Sequence, residues 1–148
     1  MTLPLSWSQE GLWFLEQAQP GLATYNVPLV MRLGGSLERQ KVAAWLAWAT
    51  ARHDALRMSV QIDRGAPGIV ISSSPTVDFS CDDLDGVPPA LRAAEAQLRA
   101  SAASREPFDL QRPPLLRVRL YEIGPTEPVL LLVAHHLVAD GQSIFGTH

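Results

Sequence analysis

Two histidines, an aspartate and a glycine stand close together, at His135, His136, Asp140 and Gly141. They follow a run of apolar residues, 129–134, which predicts a buried strand, and a strand that ends in titratable groups is typical of a site. A neutral imidazole is the usual general base near neutral pH. Asp140 is placed to hold the loop or accept a hydrogen bond, and a glycine lets a substrate or backbone approach closely.

Adjacent side chains of a strand point to opposite faces, so His135 and His136 are expected to separate. One imidazole then enters packed protein and the other can enter a cleft. The same geometry disfavours a metal site built from the pair, and no third or fourth ligand can be named. Spacing alone leaves an alternative open, in which two core histidines precede an ordinary Asp-Gly turn.

Several other chemistries lack their motifs. Residues 141–146 read Gly-Gln-Ser-Ile-Phe-Gly, which is not a nucleophile elbow, and Ser143 is better interpreted as a helix cap. Neither glycine-rich nucleotide-binding pattern is present. The net charge of −3 and the lack of aromatic residues among basic ones argue against nucleic-acid or membrane-surface partners.

The single cysteine, Cys81, excludes an internal disulfide and fits a reducing cytoplasm. Its expected role is that of a small buried hydrophobe. No apolar run reaches the ~18 residues of a membrane span, and the first residues do not look like a signal peptide. A cytoplasmic protein is therefore expected.

Apolar periodicity predicts one α/β domain with the element order αβαβββαββ, in which a mixed, largely antiparallel sheet has flanking helices. The predicted helices cover 7–18, 37–53 and a segment opened by Pro88-Pro89, and the predicted strands cover 27–33, 56–62, 69–71, 77–81, 116–121 and 129–136. The last strand is apolar on both faces and should therefore be central and covered on both sides.

The helix starts and buried faces are predicted from capping signals and three–four spacing. Ser6 and Gln9 form a capping box, and Ser36 is expected to cap the second helix. The expected buried faces are Leu12, Trp13 and Leu15 in the first helix, Val42, Trp45, Leu46 and Ala49 in the second, and Leu91, Ala94, Leu98 and Ala102 in the third.

Four stretches of the sequence carry recognisable motifs, one after another along the chain. They are Ser8–Leu15 with Ala23–Pro28, Arg52–Arg57, Pro107–Leu110 with Pro114–Arg117, and His135–Gly141. Together they resemble the condensation domains of nonribosomal peptide synthetases, which belong to the superfamily that folds like chloramphenicol acetyltransferase. The first resembles the family's first core motif, the second its R-H-[ED]-x-L-R motif, the third its P-F-D-L…P-L-L-R segment and the fourth its HHxxxDG motif. One departure is Gln142-Ser143, where the family often has Trp-Ser.

The resemblance implies an architecture. Members have two lobes with the active site in a tunnel between them, and the similarity here runs from Leu5 to Gly141. Residues 1–148 are therefore expected to be the N-terminal, donor-side lobe, with the C-terminal lobe absent. We expect the isolated lobe to be inactive and to self-associate through uncovered apolar surface.

The resemblance also implies a reaction. An acyl or peptidyl thioester on the phosphopantetheine arm of one carrier protein is attacked by the amine of an aminoacyl thioester on another, which gives an amide. His136 would deprotonate or orient that amine, and the Gly141 N–H could stabilise the oxyanion. Asp140 would be structural and His135 would support the loop. No cofactor is bound directly, and the implied partners are carrier domains, an adenylation domain and the C-terminal lobe.

The roles of the remaining motif residues are less specific. The resemblance makes Arg52 and Arg57 scaffold residues under the catalytic loop, but Arg57 stands on the polar side of an alternating strand and could be a solvated charge. Tyr25 and Asn26 could be structural or face substrate. Two rival functions are an epimerization domain, which uses a related motif to move an α-proton, and a non-catalytic module that binds carrier proteins.

Overall fold

The computed structural model describes residues 2–141 and follows the predicted order of elements, with a short fourth helix added at the end. The helices are α1 (Trp7–Ala18), α2 (Arg39–Arg52), α3 (Arg92–Ser104) and α4 (His136–Gly141). The strands are β1 (Asn26–Arg32), β2 (Met58–Asp63), β3 (Ala66–Ile71), β4 (Asp78–Asp83), β5 (Leu116–Gly124) and β6 (Glu127–His135). Short 3₁₀ turns cover Asp54–Arg57 and Pro89–Leu91.

The main sheet has the strand order β1-β6-β5-β4, and β2 and β3 form a separate hairpin. β6 pairs antiparallel with β1 and β5, whereas β4 pairs parallel with β5. The predicted mixed, largely antiparallel sheet is therefore confirmed. The hairpin turns at Arg64 and Gly65, which both have positive φ, as a two-residue hairpin turn of type I′ requires.

β6 is central and buried on both faces, as its continuous apolar sequence predicts. Leu130, Leu132 and Ala134 pack into the larger core cluster with residues of α1, α2 and β2. Leu131 and Val133 point the other way, into a smaller cluster built with α3. Two packed layers therefore fix the strand that carries His135.

The start of α1 matches the prediction. The Gln9 N–H donates to Ser6 Oγ at 3.2 Å, and the Ser6 N–H donates to Gln9 Oε1 at 2.9 Å, which completes the capping box. Leu12 and Trp13 are buried as expected. Leu15 is exposed, so its placement on the inner face is wrong.

The predicted details of α2 are partly wrong. The helix begins at Arg39, so its N-cap is Glu38 rather than Ser36, and Glu38 makes no side-chain capping bond. Val42, Leu46 and Ala49 are buried, but Trp45 is exposed and Thr50 takes the fourth buried position. The buried stripe is narrower than the apolar sequence indicates.

The predicted inner face of α3 is wrong. Leu98 is 67% exposed and Leu91, in the preceding 3₁₀ turn, is also exposed, while Ala96, Ala100 and Ala103 are buried against the sheet. Both sets of residues have three–four spacing, but only the alanine face lets the helix lie close to the strands. No helix of residues 2–141 is long and apolar enough to cross a membrane.

Candidate active site

The two histidines meet opposite environments where β6 ends. His135 is the last residue of the strand and is 2% exposed, whereas His136 is the first residue of α4 and is exposed. The strand ends one residue earlier than predicted, yet the expected separation of the two side chains is confirmed. Among residues 2–141, no group of three His, Cys, Asp or Glu side chains is arranged to hold a metal ion.

His135 is held as a neutral imidazole. Burial, with a smaller contribution from His136, lowers the pKa of His135 to about 4. Its Nδ1 accepts the Leu137 N–H at 3.0 Å, so the neutral ring carries its proton on Nε2. The ring also meets Phe108 edge-on, with the centroids 6.3 Å apart. These contacts give His135 a supporting position beside His136.

His136 is fixed by residues from the beginning of the chain. Its backbone N–H donates to the Tyr25 carbonyl at 2.7 Å. One residue further along, the Leu137 carbonyl accepts from Gln9 Nε2 at 3.3 Å in a buried contact. The first motif therefore anchors the first turn of α4. The sequence placed Gln9 in that motif and in the capping box with Ser6, but gave no sign of its contact with Leu137.

Asn26 has a structural role. It pairs with His135 in the β1–β6 register. Its Nδ2 donates to the Ser104 carbonyl at 3.0 Å and to the Glu106 carbonyl at 2.7 Å. Of the two uses left open for this side chain, the observed contacts favour the structural one, because they bind the connection after α3 to the edge of the sheet.

The two arginines of the second motif make local contacts. Arg57 Nη1 donates to the Ser72 carbonyl at 3.1 Å, and its Nη2 pairs with Asp54. The Arg57 side chain is only 16% exposed, so a fully solvated charge is wrong for it. Arg52 is exposed and stacks over Trp48, with its guanidinium carbon 5.5 Å from the ring centroid. Neither arginine has a described contact with His135, although the 3₁₀ turn containing Arg57 packs against α4.

The last two residues of the motif are described only by their backbone. Asp140 and Gly141 lie in α4, while the side-chain position of Asp140 lies outside what the structure describes. The predicted cap at Ser143 also falls outside the described residues.

Arg117 is a site component that sequence reasoning missed. It lies on the predicted polar side of β5, but its side chain is only 6% exposed. Its guanidinium carbon lies 4.4 Å from the centroid of Phe108, the same ring that meets His135. The only sequence signal was its place at the end of the third motif.

The chain matches the model of one protein family, the Condensation domain, over residues 1–145. Among curated relatives, it is 39% identical over 142 residues to chondramide synthase cmdD of Chondromyces crocatus, covering 96% of this chain and 4% of that synthase. It is 38% identical over 142 residues to phosphinothricin tripeptide synthetase PhsC of Streptomyces viridochromogenes, covering 96% of this chain and 13% of that protein. The chain thus spans a small fraction of the curated relatives it matches.

Solved structures show the same fold. The starter condensation domain of rhizomide synthetase RzmA aligns with a TM-score of 0.85 and 24% identity, over 93% of this chain and 33% of that one. The first condensation domain of the calcium-dependent antibiotic synthetase aligns with a TM-score of 0.81 and 22% identity, over 92% and 33%. Because the family model matches nearly the whole chain and these folds agree, this chain belongs to the condensation-domain family.

Proposed function

We propose that this chain works as the N-terminal, donor-side lobe of a nonribosomal peptide synthetase condensation domain, completed by a C-terminal lobe. The domain would join a carrier-bound acyl or peptidyl thioester to the amine of a carrier-bound aminoacyl thioester. The observation that carries the proposal is the pair at the end of β6. His136 is exposed with its backbone bonded to Tyr25, while His135 is buried and neutral beside it.

In the proposed reaction, the acceptor amine attacks the thioester carbonyl carbon and a carbon–nitrogen bond forms. His136 takes the proton that the amine loses. By motif position, the Gly141 N–H donates to the oxyanion, an interaction worth about 3 kcal/mol in well-studied acyl-transfer sites. The carbon–sulfur bond then breaks, and the phosphopantetheine thiolate leaves and takes up a proton.

The supporting residues are assigned by their contacts and by the motif. His135 sets the first turn of α4 through the Leu137 N–H. Asp140, Arg52 and Arg57 are proposed as structural residues around that turn, and the packing of the 3₁₀ turn against α4 supports this role for Arg57.

The partners belong to the same proposal. The domain binds no cofactor itself, and the phosphopantetheine arm arrives on peptidyl or acyl carrier proteins, with an adenylation domain in the same cytoplasmic assembly line. Support comes from the curated relatives, which are named as synthases and peptide synthetases. It also comes from holo-AB3403, described as a four-domain nonribosomal peptide synthetase, which aligns over 93% of this chain with a TM-score of 0.82.

The test is the His136→Ala substitution in the intact parent domain, supplied with loaded donor and acceptor carriers. Loss of the general base should lower the rate of amide formation by about 10²–10⁴-fold. The control is Gln97→Ala, at an exposed position of α3 outside the motifs, which should leave the rate unchanged. A wild-type rate in the His136→Ala domain would remove the assigned role.

Two further measurements test whether the chain is one lobe of a larger domain and whether that domain forms an amide. The 148-residue chain alone should form no amide, because we assign the other wall of the tunnel to the C-terminal lobe, so turnover by the chain would contradict the lobe assignment. Solvent deuterium at the α-carbon without amide formation would favour an epimerization domain instead.

A further inference from the structure

Arg117 is a buried cation next to the strand that ends at His135. It lies on β5 and pairs with Val133 of β6, two residues before His135. Among the described residues, two carboxylates lie near its Nε, those of Asp78 and Glu106. Each is 3.7 Å away and largely exposed. Burial lowers the pKa of Arg117, while these two carboxylates oppose that shift. An apolar side chain often suits such a position better, so the charge calls for a specific use.

The guanidinium binds the connection that follows α3. Its Nη1 donates to the Ala103 carbonyl at 2.8 Å and to the Glu106 carbonyl at 3.2 Å, and its Nη2 lies 3.4 Å from the Pro107 carbonyl. Carbonyls at the C-terminal end of a helix lack partners within the helix. Asn26 donates to the same Glu106 carbonyl from β1. The connection is therefore held between β5 and β1.

Phe108 follows directly on that connection and transmits its position to the histidines. Its ring lies under the Arg117 guanidinium and is nearly perpendicular to the His135 ring, at an interplanar angle of 86°. His135 in turn accepts the Leu137 N–H through Nδ1. His136 lies between His135 and Leu137 in the chain, so this series of contacts sets the start of α4.

We propose that Arg117 is a positioning residue for His136, which it orients through Phe108 and His135. The inference rests on the proposed function, because it assigns a purpose to the orientation of His136. The contacts described for Arg117 run to Phe108 and to the connection after α3, so its proposed effect on His136 passes through other residues. A side chain that only stabilised the fold could be replaced at a loss of stability alone, whereas a positioning residue also affects turnover.

The experiment uses the intact parent domain with Arg117→Met, which keeps an unbranched apolar stem and removes the guanidinium with its charge and hydrogen bonds. We expect kcat for amide formation to fall by about 10²-fold, the cost of a small misplacement of a catalytic group, with KM for both carriers unchanged. Arg117→Lys should recover part of the loss, since an ammonium group can still donate to the carbonyls.

Two controls separate positioning from stability. Arg119→Met removes a cation two residues along the same strand that also pairs with Asp78, but it leaves the connection after α3 untouched. Val118→Ala makes a cavity in the larger core cluster and should lower the melting temperature. Both variants should keep the wild-type kcat.

A second variant, Phe108→Leu, breaks the link while leaving Arg117 in place, so the inference stays testable if Arg117→Met does not fold. The imidazole resonances of His135 should shift in Phe108→Leu and Arg117→Met but not in Arg119→Met, whatever the activity. Wild-type kcat in Phe108→Leu or Arg117→Met, or an equal loss in Val118→Ala, would overturn the inference. Full activity in His136→Ala would instead overturn the proposed function, so the two failures are distinct.

Discussion

At the scale of single residues, the buried neutral state of His135 makes stability depend on pH. The pKa of His135 is about 4 in the folded chain, against 6.5 for an ordinary histidine. Between these values the unfolded chain takes up a proton that the folded chain does not. Protonation of the unfolded chain therefore lowers the free energy of unfolding as the pH falls from 6.5 toward 4, by about 3 kcal/mol in all. Above pH 6.5 the imidazole is neutral in both states and this loss is absent. Denaturant unfolding at pH 7.5 and pH 4.5 measures the loss.

The control for this prediction is His135→Gln, which has no titrating group and can still accept the Leu137 N–H. Carboxylates contribute equally to the pH dependence of both proteins, so the difference between them isolates the imidazole. Parallel stability curves for wild type and His135→Gln from pH 7.5 to 4.5 would show that His135 is not held neutral by the fold.

How far single residues could be predicted from the sequence depends on the reach of their side chains. The predicted separation of His135 from His136 is correct, although the chain turns from β6 into α4 between them instead of continuing as a strand. The role of Arg117 is not local. Arg117 alternates with Leu116 and Val118 along the strand, as a surface residue would, but its guanidinium lies over the Phe108 ring and its side chain is only 6% exposed. Only the fold shows which long polar side chains turn inward.

At the scale of elements, the start of α1 holds the start of α4 through one buried amide. Gln9 closes its own capping box and also donates to the Leu137 carbonyl. Gln9→Met should leave the Ser6 N–H and the Leu137 carbonyl without this partner, which costs about 1–3 kcal/mol. Amide exchange at Leu137 should become faster as well, because the first turn of α4 is less firmly held. Denaturant unfolding and hydrogen exchange test the two effects.

Ser6→Ala and Gln17→Leu are the matched controls for Gln9→Met. Ser6→Ala removes one capping bond at a cost of about 1 kcal/mol but keeps the bond to Leu137, so exchange there should stay slow. Gln17 is exposed on the same helix, and its replacement should change stability by less than about 0.5 kcal/mol. Equal exchange at Leu137 in Gln9→Met and wild type would show that α1 does not hold α4.

Element order and the central strand could be predicted because apolar runs and alternation report burial directly. The face that α3 turns toward the sheet could not be predicted. Apolar size pointed to Leu91 and Leu98, but the helix turns Ala96 and Ala100 to the sheet and leaves both leucines exposed. A helix with small residues on one face and leucines on another does not reveal which face a close-packed sheet requires, or what covers the leucines.

At the scale of the whole molecule, the site is assembled from segments far apart in the chain. Gln9 and Tyr25 bind the start of α4, and Phe108 lies between His135 and Arg117. The junction of β6 with α4 supplies the two histidines. Each of these segments belongs to one of the matched motifs. The matched motifs, although far apart in the sequence, therefore meet at a single site around the end of β6.

The outer surface of α1 leads to a prediction about the chain on its own. Trp7 is 94% exposed and Phe14 is 65% exposed, two turns apart on this helix. Large uncovered apolar side chains mark surfaces that associate with other surfaces, and the chain spans only a third of the length of solved condensation domains. The purified 148-residue chain should therefore self-associate as its concentration rises, which light scattering after gel filtration measures.

Replacing both aromatic residues, Trp7→Ser with Phe14→Ser, should shift the weight-average mass toward that of the monomer. Glu10→Ser, on the exposed surface of the same helix, is the control and should leave association unchanged. Both substitutions lie outside the buried side of α1 that holds Gln9, so the fold should persist and circular dichroism should match wild type. A concentration-independent monomer for the wild-type chain would mean that these side chains do not form an adhesive surface.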